Sequence, residues 1–374
     1  VFLDAIVLNT NSVNGIPGNQ TRLTNSATLT YAGNPSNAVP SGPVVTPVIE
    51  PVLAITKAIT NTLVDAGDRI TVTLVLTNSG LATAYNLEAR DPLSPLYFDA
   101  STVSNTLLPT GYVFAVETDT VVIRADTNSA PATNTLEIGE SLTVAFDVTI
   151  SSNLPPNTVF TNVAQISYVD SISGVKTIDQ QRVYSPTQSV DVLSSPNLSL
   201  VKVLVGTSET GPVDTTGTNV TIGEVVTYRL TVTVPEGTIT NLAVTDDLPV
   251  GMTFFTNVTV DPAGFGGTLP GAPAIANAGG SGSDVTFTWN GLTVVDGDNN
   301  PANNSFTITF DALVLDVAAN DGLPVAVDGD GLTILTNRGS VTYAGNPSNA
   351  VPSGVVNVQV VEPSLLINKT MTGP

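Results

Sequence analysis

Lysine is scarce in this chain, and its placement is not scattered. Of Lys57, Lys176, Lys202 and Lys369, three fall within one recurring pattern: LAITKAIT at 53–60, LSLVKVLV at 198–205 and LLINKTMT at 365–372. Residues two apart in an extended strand share a face, so Ile55 and Ile59 lie on the face of Lys57, and Leu200 and Leu204 on that of Lys202. Both amines are therefore expected inside an apolar core. A buried ammonium is expensive unless it is paired or neutralised. Two more polar positions recur downstream. NLEARDPL (86–93) aligns with NLAVTDDL (241–248), placing Asp91 on Asp246. FTNVAQISYVD (160–170), LTNRGSVTYAG (335–345) and LTNSATLTYAG (23–33) superimpose Asn162, Asn337 and Asn25. Each complete series reads Lys, Asp, Asn: first Lys57, Asp91 and Asn162, then Lys202, Asp246 and Asn337. Lys369 and Asn25 read as half-sites whose partners lie outside this window.

The elements that must carry these residues form a long repeat. TYAGNPSNAVPSG occurs at 30–42 and again, unchanged, at 342–354, and one offset of 312 residues also lays Pro51 on Pro363 and Lys57 on Lys369. FLDAIVLN near the start matches TFDALVLD at 309–316. The reading is a window on a longer array. Residues 1–49 are the C-terminal strands of one domain, 50–195 and 196–361 are two complete domains, and 362–374 holds the first strand of another. Thr, Val and Asn are abundant and period-two runs recur, which indicates an all-β chain. ITVTLVL puts Ile70, Val72, Leu74 and Leu76 on one face; VTYRLTVTV does the same with Val226, Tyr228, Leu230, Val232 and Val234. Half-buried strands with Gly, Pro and Asn punctuation predict tandem Ig-like antiparallel β-sandwiches in an elongated array. The repeated thirteen residues read as a turn and stiff exit from the asparagine strand, because proline restricts itself and its predecessor.

Composition narrows the function classes. A formal net charge of −21 leaves nothing to neutralise a phosphate backbone, which argues against nucleic acid. With no His and no Cys, the chain lacks the commonest general base and any disulfide. An enzyme is not expected. No apolar run is long enough to span a bilayer.

The stretches LAITKAIT…AGDRITVTLVLTNSGLATAYNLEARDPL and IGEVVTYRLTVTVPEGTITNLAVTDDLP resemble the surface-protein repeat known as domain of unknown function eleven, and the related fimbrial isopeptide-formation domain. Both are Ig-like modules of long bacterial and archaeal surface proteins and pili. The resemblance covers nearly the whole chain. It implies a covalent bond from a first-strand Lys to a last-strand Asn, assisted by an acid on an intervening strand: Lys57 to Asn162 with Asp91, and Lys202 to Asn337 with Asp246. Pro92 and Ser94 depart from the family pattern after the acid in the first domain. The chemistry is self-consistent, since burial disfavours charge on both amine and acid. A neutral amine attacks the Asn carbonyl, Asp polarises it, and ammonia leaves. The alternative is a buried Lys–Asp ion pair with Asn satisfying backbone groups in a turn.

No cofactor is required by this reading, but the acidic loops invite calcium. Asp296, Asp298, Asp316, Asp321, Asp328 and Asp330 are hard oxygen ligands, although they lack EF-hand spacing, and solvated Asp/Gly turns account for them equally well. The function expected is a structural stalk or filament segment on an extracellular cell surface, partnered by neighbouring domains or subunits of its own kind. Two alternatives stand beside it. One is a ligand-binding adhesin, using a loop such as 262–283. The other is strand exchange between subunits through the Lys369 strand.

Overall fold

The computed structural model describes residues 2–10, 13–33, 35–126, 135–171, 182–195, 198–209, 217–295, 297–320, 332–344, 346–363 and 367–372. Among these the regular structure is β-strand, apart from single 3-10 turns at Pro35–Asn37 and Pro301–Asn303. No helix among the described residues is long and apolar enough to cross a membrane. The chain forms two compact units, Val1–Val64 with Arg69–Ser151 and Val159–Leu193, and Asp65–Asp68 with Ser152–Thr158 and Ser194–Pro374.

In the first unit, an antiparallel sheet runs in the order Leu53–Ile59, Arg69–Asn78, Ser141–Ile150, Phe98–Leu107. The second sheet of this unit runs Tyr112–Val116, Thr120–Ala125, Ala84–Pro92, Val159–Val169, Thr187–Ser194, Leu63–Val64. Alternation drives this pairing: Ile70, Val72, Leu74 and Leu76 are all buried, while the intervening threonines are only partly so. Each such side chain contributes about 1.5–3 kcal/mol on leaving water. Phe98 meets Phe160 edge-on at 5.5 Å between ring centroids.

The second unit repeats the plan. Ser199–Thr207, Val225–Thr233, Ser305–Val314 and Met252–Asp261 make one sheet. Asn219–Val220, Val356–Val360, Ile334–Tyr343, Gly237–Asp247, Val285–Val295 and Ala274–Asn277 follow one another in the other. Val226, Tyr228, Leu230, Val232 and Val234 are buried, as their period of two predicts. Trp289 and Phe287 alternate into the same core, where Trp289 meets Phe306 edge-on at 5.4 Å.

The repeated thirteen residues close a hairpin of fixed register. Arg22–Asn25 pairs with Val44–Pro47, setting Asn25 opposite Val44, and Thr28 lies opposite Pro40. In the other copy Asn337 lies opposite Val356 and Ser340 opposite Pro352, the same pairs displaced by 312 residues. Locally the copies differ. The first turns through Pro35–Asn37, whereas the second forms a strand at Asn346–Pro352, where the Asn349 side chain bonds both backbone groups of Tyr343.

Candidate functional site: two buried lysine, aspartate and asparagine trios

Lys57 sits mid-strand in Leu53–Ile59, opposite Leu74, with Leu53 and Ile55 buried on the same face. Its side chain is fully buried, and Nζ donates to Asp91 Oδ2 at 2.5 Å. Asp91 comes from the other sheet, near the end of Ala84–Pro92, and is itself fully buried. The adjacent strand Val159–Val169 delivers Asn162, whose Nδ2 donates to Asp91 Oδ1 at 2.8 Å and to the Pro92 carbonyl at 3.0 Å. The Asn162 Oδ1 has no hydrogen-bond partner. Burial pushes the Lys57 amine below its ordinary value, against the opposing pull of Asp91.

The second trio is built from matching strands. Lys202, opposite Leu230, is buried, and its Nζ is paired with Asp246 Oδ2. Burial pushes the Lys202 amine down and the Asp246 carboxyl up, with the attraction between them opposing both shifts. Both shifts run toward the uncharged pair, which favours an unprotonated amine beside a protonated acid. Asn337 is 0% exposed and lies beside the Asp246 carboxyl and the Tyr228 hydroxyl, yet neither its Nδ2 nor its Oδ1 meets hydrogen-bond geometry with any partner. The same fold satisfies an equally buried amide elsewhere: Asn78 Nδ2 donates to the Ala82 and Leu136 carbonyls, and its Oδ1 accepts from Gly80 N.

Some contributors were not legible as site residues. The Tyr228 ring lies under Lys202, with Nζ 4.3 Å from its centroid, and Phe310 follows at 5.4 Å. Strand alternation does place Tyr228 on the inner face, but its neighbour across the core is invisible to a one-dimensional pattern. In the first unit the equivalent register position holds Val72, opposite Phe146. The backbone carbonyl of Pro92, a partner for the Asn162 amide, carries no sequence signal.

The remaining expected positions are not drawn together. Asn25 is exposed on Arg22–Asn25, and Lys369 is exposed within 367–372, which carries no strand. Asp316 and Asp298 are exposed. Asp298 is occupied within its own turn, accepting from Asn300 N and Asn303 Nδ2. Asp296, Asp321, Asp328 and Asp330 lie outside the described residues. Among the described residues no three acidic side chains converge as a metal site would require. In loop 262–283, Phe265 packs on Phe306 at 5.5 Å, and Trp289 Nε1 donates to the Gly271 carbonyl, so both aromatics face inward.

Neither protein-family models nor curated proteins give a match to this chain. Similar solved structures include the C-terminal domain of the Streptococcus agalactiae AgI/II polypeptide BspA, at 9% identity, covering 82% of this chain and 100% of that one, with a TM-score of 0.29. A collagen adhesin from S. aureus is similar at 12% identity over 83% and 92% of the two chains, with a TM-score of 0.23. The major pilin SpaD from Corynebacterium diphtheriae is similar at 12% identity over 80% and 60%, with a TM-score of 0.29. At scores this low the fold rests on the strands and registers above: the chain is an all-β protein of tandem, mainly antiparallel sandwiches, with Asn219–Val220 running parallel to Val356–Val360.

Proposed function

We propose that this chain is a force-bearing segment of an extracellular surface stalk or filament, and that each sandwich is locked by an autocatalytic isopeptide bond, Lys57 to Asn162 and Lys202 to Asn337. The observation that carries the reading is the meeting of a buried lysine, aspartate and asparagine in each core: Asn337 is fully buried beside the Lys202–Asp246 pair, and Asn162 donates to the Asp91 that holds Lys57. An uncharged Lys202 amine attacks the Asn337 side-chain carbonyl carbon, a C–N bond forms, the old C–N bond breaks, and the nitrogen leaves as ammonia. The proton lost by the amine is carried to the departing nitrogen through the Asp246 carboxyl, so the acid is unchanged at the end. In the first unit, the amide nitrogen already faces Asp91 at 2.8 Å. There the acid meets the leaving group rather than the carbonyl oxygen envisaged from the sequence.

Holding the three groups together in the core supplies much of the acceleration, and one turnover suffices. The aromatic walls of Tyr228 and Phe310 keep water from the Lys202 amine. The intact mass of the full chain is expected to fall short of its sequence by two ammonia units, with peptide mapping joining the Lys202 and Asn337 peptides and the Lys57 and Asn162 peptides. Asp246→Ala is expected to restore one ammonia while the sandwich still folds. A wild-type chain at its full sequence mass would overturn the reading and leave two buried ion pairs.

A further inference from the structure

Each aspartate strand changes face partway along. In Ala84–Pro92 the inward residues are Ala84, Leu87, Ala89 and Asp91; in Gly237–Asp247 they include Ile239, Leu242, Val244 and Asp246. The steps from Ala84 to Leu87 and from Ile239 to Leu242 are three residues, and odd steps put side chains on opposite faces of a regular strand. The break falls at Asn86 and Asn241, which hold left-handed backbones with φ of 53° and 51°. Asparagine enters that region far more readily than β-branched or bulky residues.

The slip is located against the asparagine strand in both units. Val169 lies opposite Tyr85 but Ser167 lies opposite Glu88, so a step of two residues on one strand matches a step of three on the other. In the second unit Ala344 N donates to the Thr240 carbonyl, while Thr342 lies opposite Ala243. Directly opposed residues of an antiparallel pair point to the same face. Running on from Tyr85 without the slip, Asp91 would oppose Val163, which is exposed. With it, Ala89 opposes Ile166, and Asp91 falls in step with buried Ala164. The second unit matches: Asp246 lies opposite Gly339, where an added Cβ would stand 2.9 Å from the Thr245 carbonyl and 3.6 Å from Asp246 Oδ2.

We propose that Asn86 and Asn241 are positioning residues: their left-handed turns insert the one-residue bulge that swings Asp91 and Asp246 from the outer face onto the lysine and asparagine. The inference rests on the isopeptide reading for its chemistry, but the aspartate's placement is separable from it. A bulge is a local way to re-aim a side chain without altering the rest of a sheet. Both asparagines stand five residues before their aspartate, a spacing shared by YNLEARD and TNLAVTD.

The test uses the full chain with changes in the second unit, the first serving as an internal control of folding and bond formation. Two readouts are taken: ammonia loss assigned to each unit by peptide mapping, and titration of the Asp246 carboxyl by carbon-13 NMR. Asn241→Gly, which tolerates the left-handed backbone, is expected to keep both the wild-type ammonia loss and an Asp246 that titrates above the ordinary aspartate range. Deleting Asn241 is expected to abolish the second-unit loss and return Asp246 to the ordinary range. If the deletion unfolds the second unit, Asn241→Val against Asn241→Gly decides, with bond formation at least tenfold slower in the valine variant expected. A wild-type chain that loses no ammonia but whose Asp246 shifts on deletion sinks the cross-link and upholds the positioning. A deletion that leaves Asp246 titrating as in the wild type, or valine and glycine variants that react alike, overturns it.

Discussion

At the scale of single residues, the trios show how a costly arrangement is kept. A lysine and an aspartate removed from water depend chiefly on each other, and removing one partner of such a pair costs about 3–5 kcal/mol. Lys202→Met is the sharpest case, because it also prevents the bond. The remaining Asp246 carboxyl is already held above its ordinary value by burial, and it loses the one cation that lowers it. A folded-state pKa above the unfolded value means the acid form is favoured in the native state. Its contribution is therefore present below the unfolded pKa and is lost as pH rises through the folded one. Lys202→Met is thus expected to lose stability progressively as pH climbs above the ordinary carboxylate range. Urea titrations at a series of pH values would read this; a flat profile would contradict it. The inward facing of Lys57 and Lys202 was legible from alternation alone. That Asn337 also lies beside the Tyr228 hydroxyl was not, because the surroundings of an amide depend on atoms contributed by separate strands.

At the scale of elements, each lysine strand is the end strand of its sheet, bonded through its backbone to one neighbour. A bond from Lys57 to Asn162 ties that end strand across the core to the opposite sheet. It closes a loop of roughly a hundred residues, for which a disulfide-type estimate is about 4–5 kcal/mol. Asn162→Ala is expected to lower the unfolding free energy of the first unit by that order. It should also turn the amides of Leu53–Ile59 from among the slowest to exchange hydrogen into the first to do so, since edge elements open locally when nothing holds them. Hydrogen exchange read by mass spectrometry checks this, and unchanged protection would argue against the tie. Period-two runs such as ITVTLVL and VTYRLTVTV revealed the core faces because a strand's side-chain period is fixed by geometry. The bulges at Asn86 and Asn241 break that period through one backbone dihedral, so the aspartates' facing could not be read from alternation. The acidic loops suggested calcium by composition, yet composition carries no information on convergence, and Asp298 uses both oxygens within its own turn.

At the scale of the whole molecule, the two proposed bonds would set the covalent path through the chain. Pulled from its two ends, a chain bonded between Lys57 and Asn162 and between Lys202 and Asn337 transmits load across each bracket without lengthening. Single-molecule force spectroscopy of the wild type is expected to show no unfolding step for the residues inside either bracket, and the Asn162→Ala, Asn337→Ala double variant to regain two. Steps of full domain length in the wild type would refute the brackets.

The end position of Leu53–Ile59 has a further consequence where many copies are crowded together. Its outward side chains, Ala54, Thr56 and Ala58, are small and uncharged, and its pairing with Arg69–Asn78 is free of irregularities. The opposite end strand, Phe98–Leu107, has its register broken twice. A regular, uncharged sheet border is a template onto which another chain can add. Were Leu53–Ile59 free to peel away, crowded copies could trade it and entangle into aggregates. Fastened at Lys57 by the proposed bond, it could not leave its own sheet, and a lock built against pulling would also guard each molecule from its neighbours.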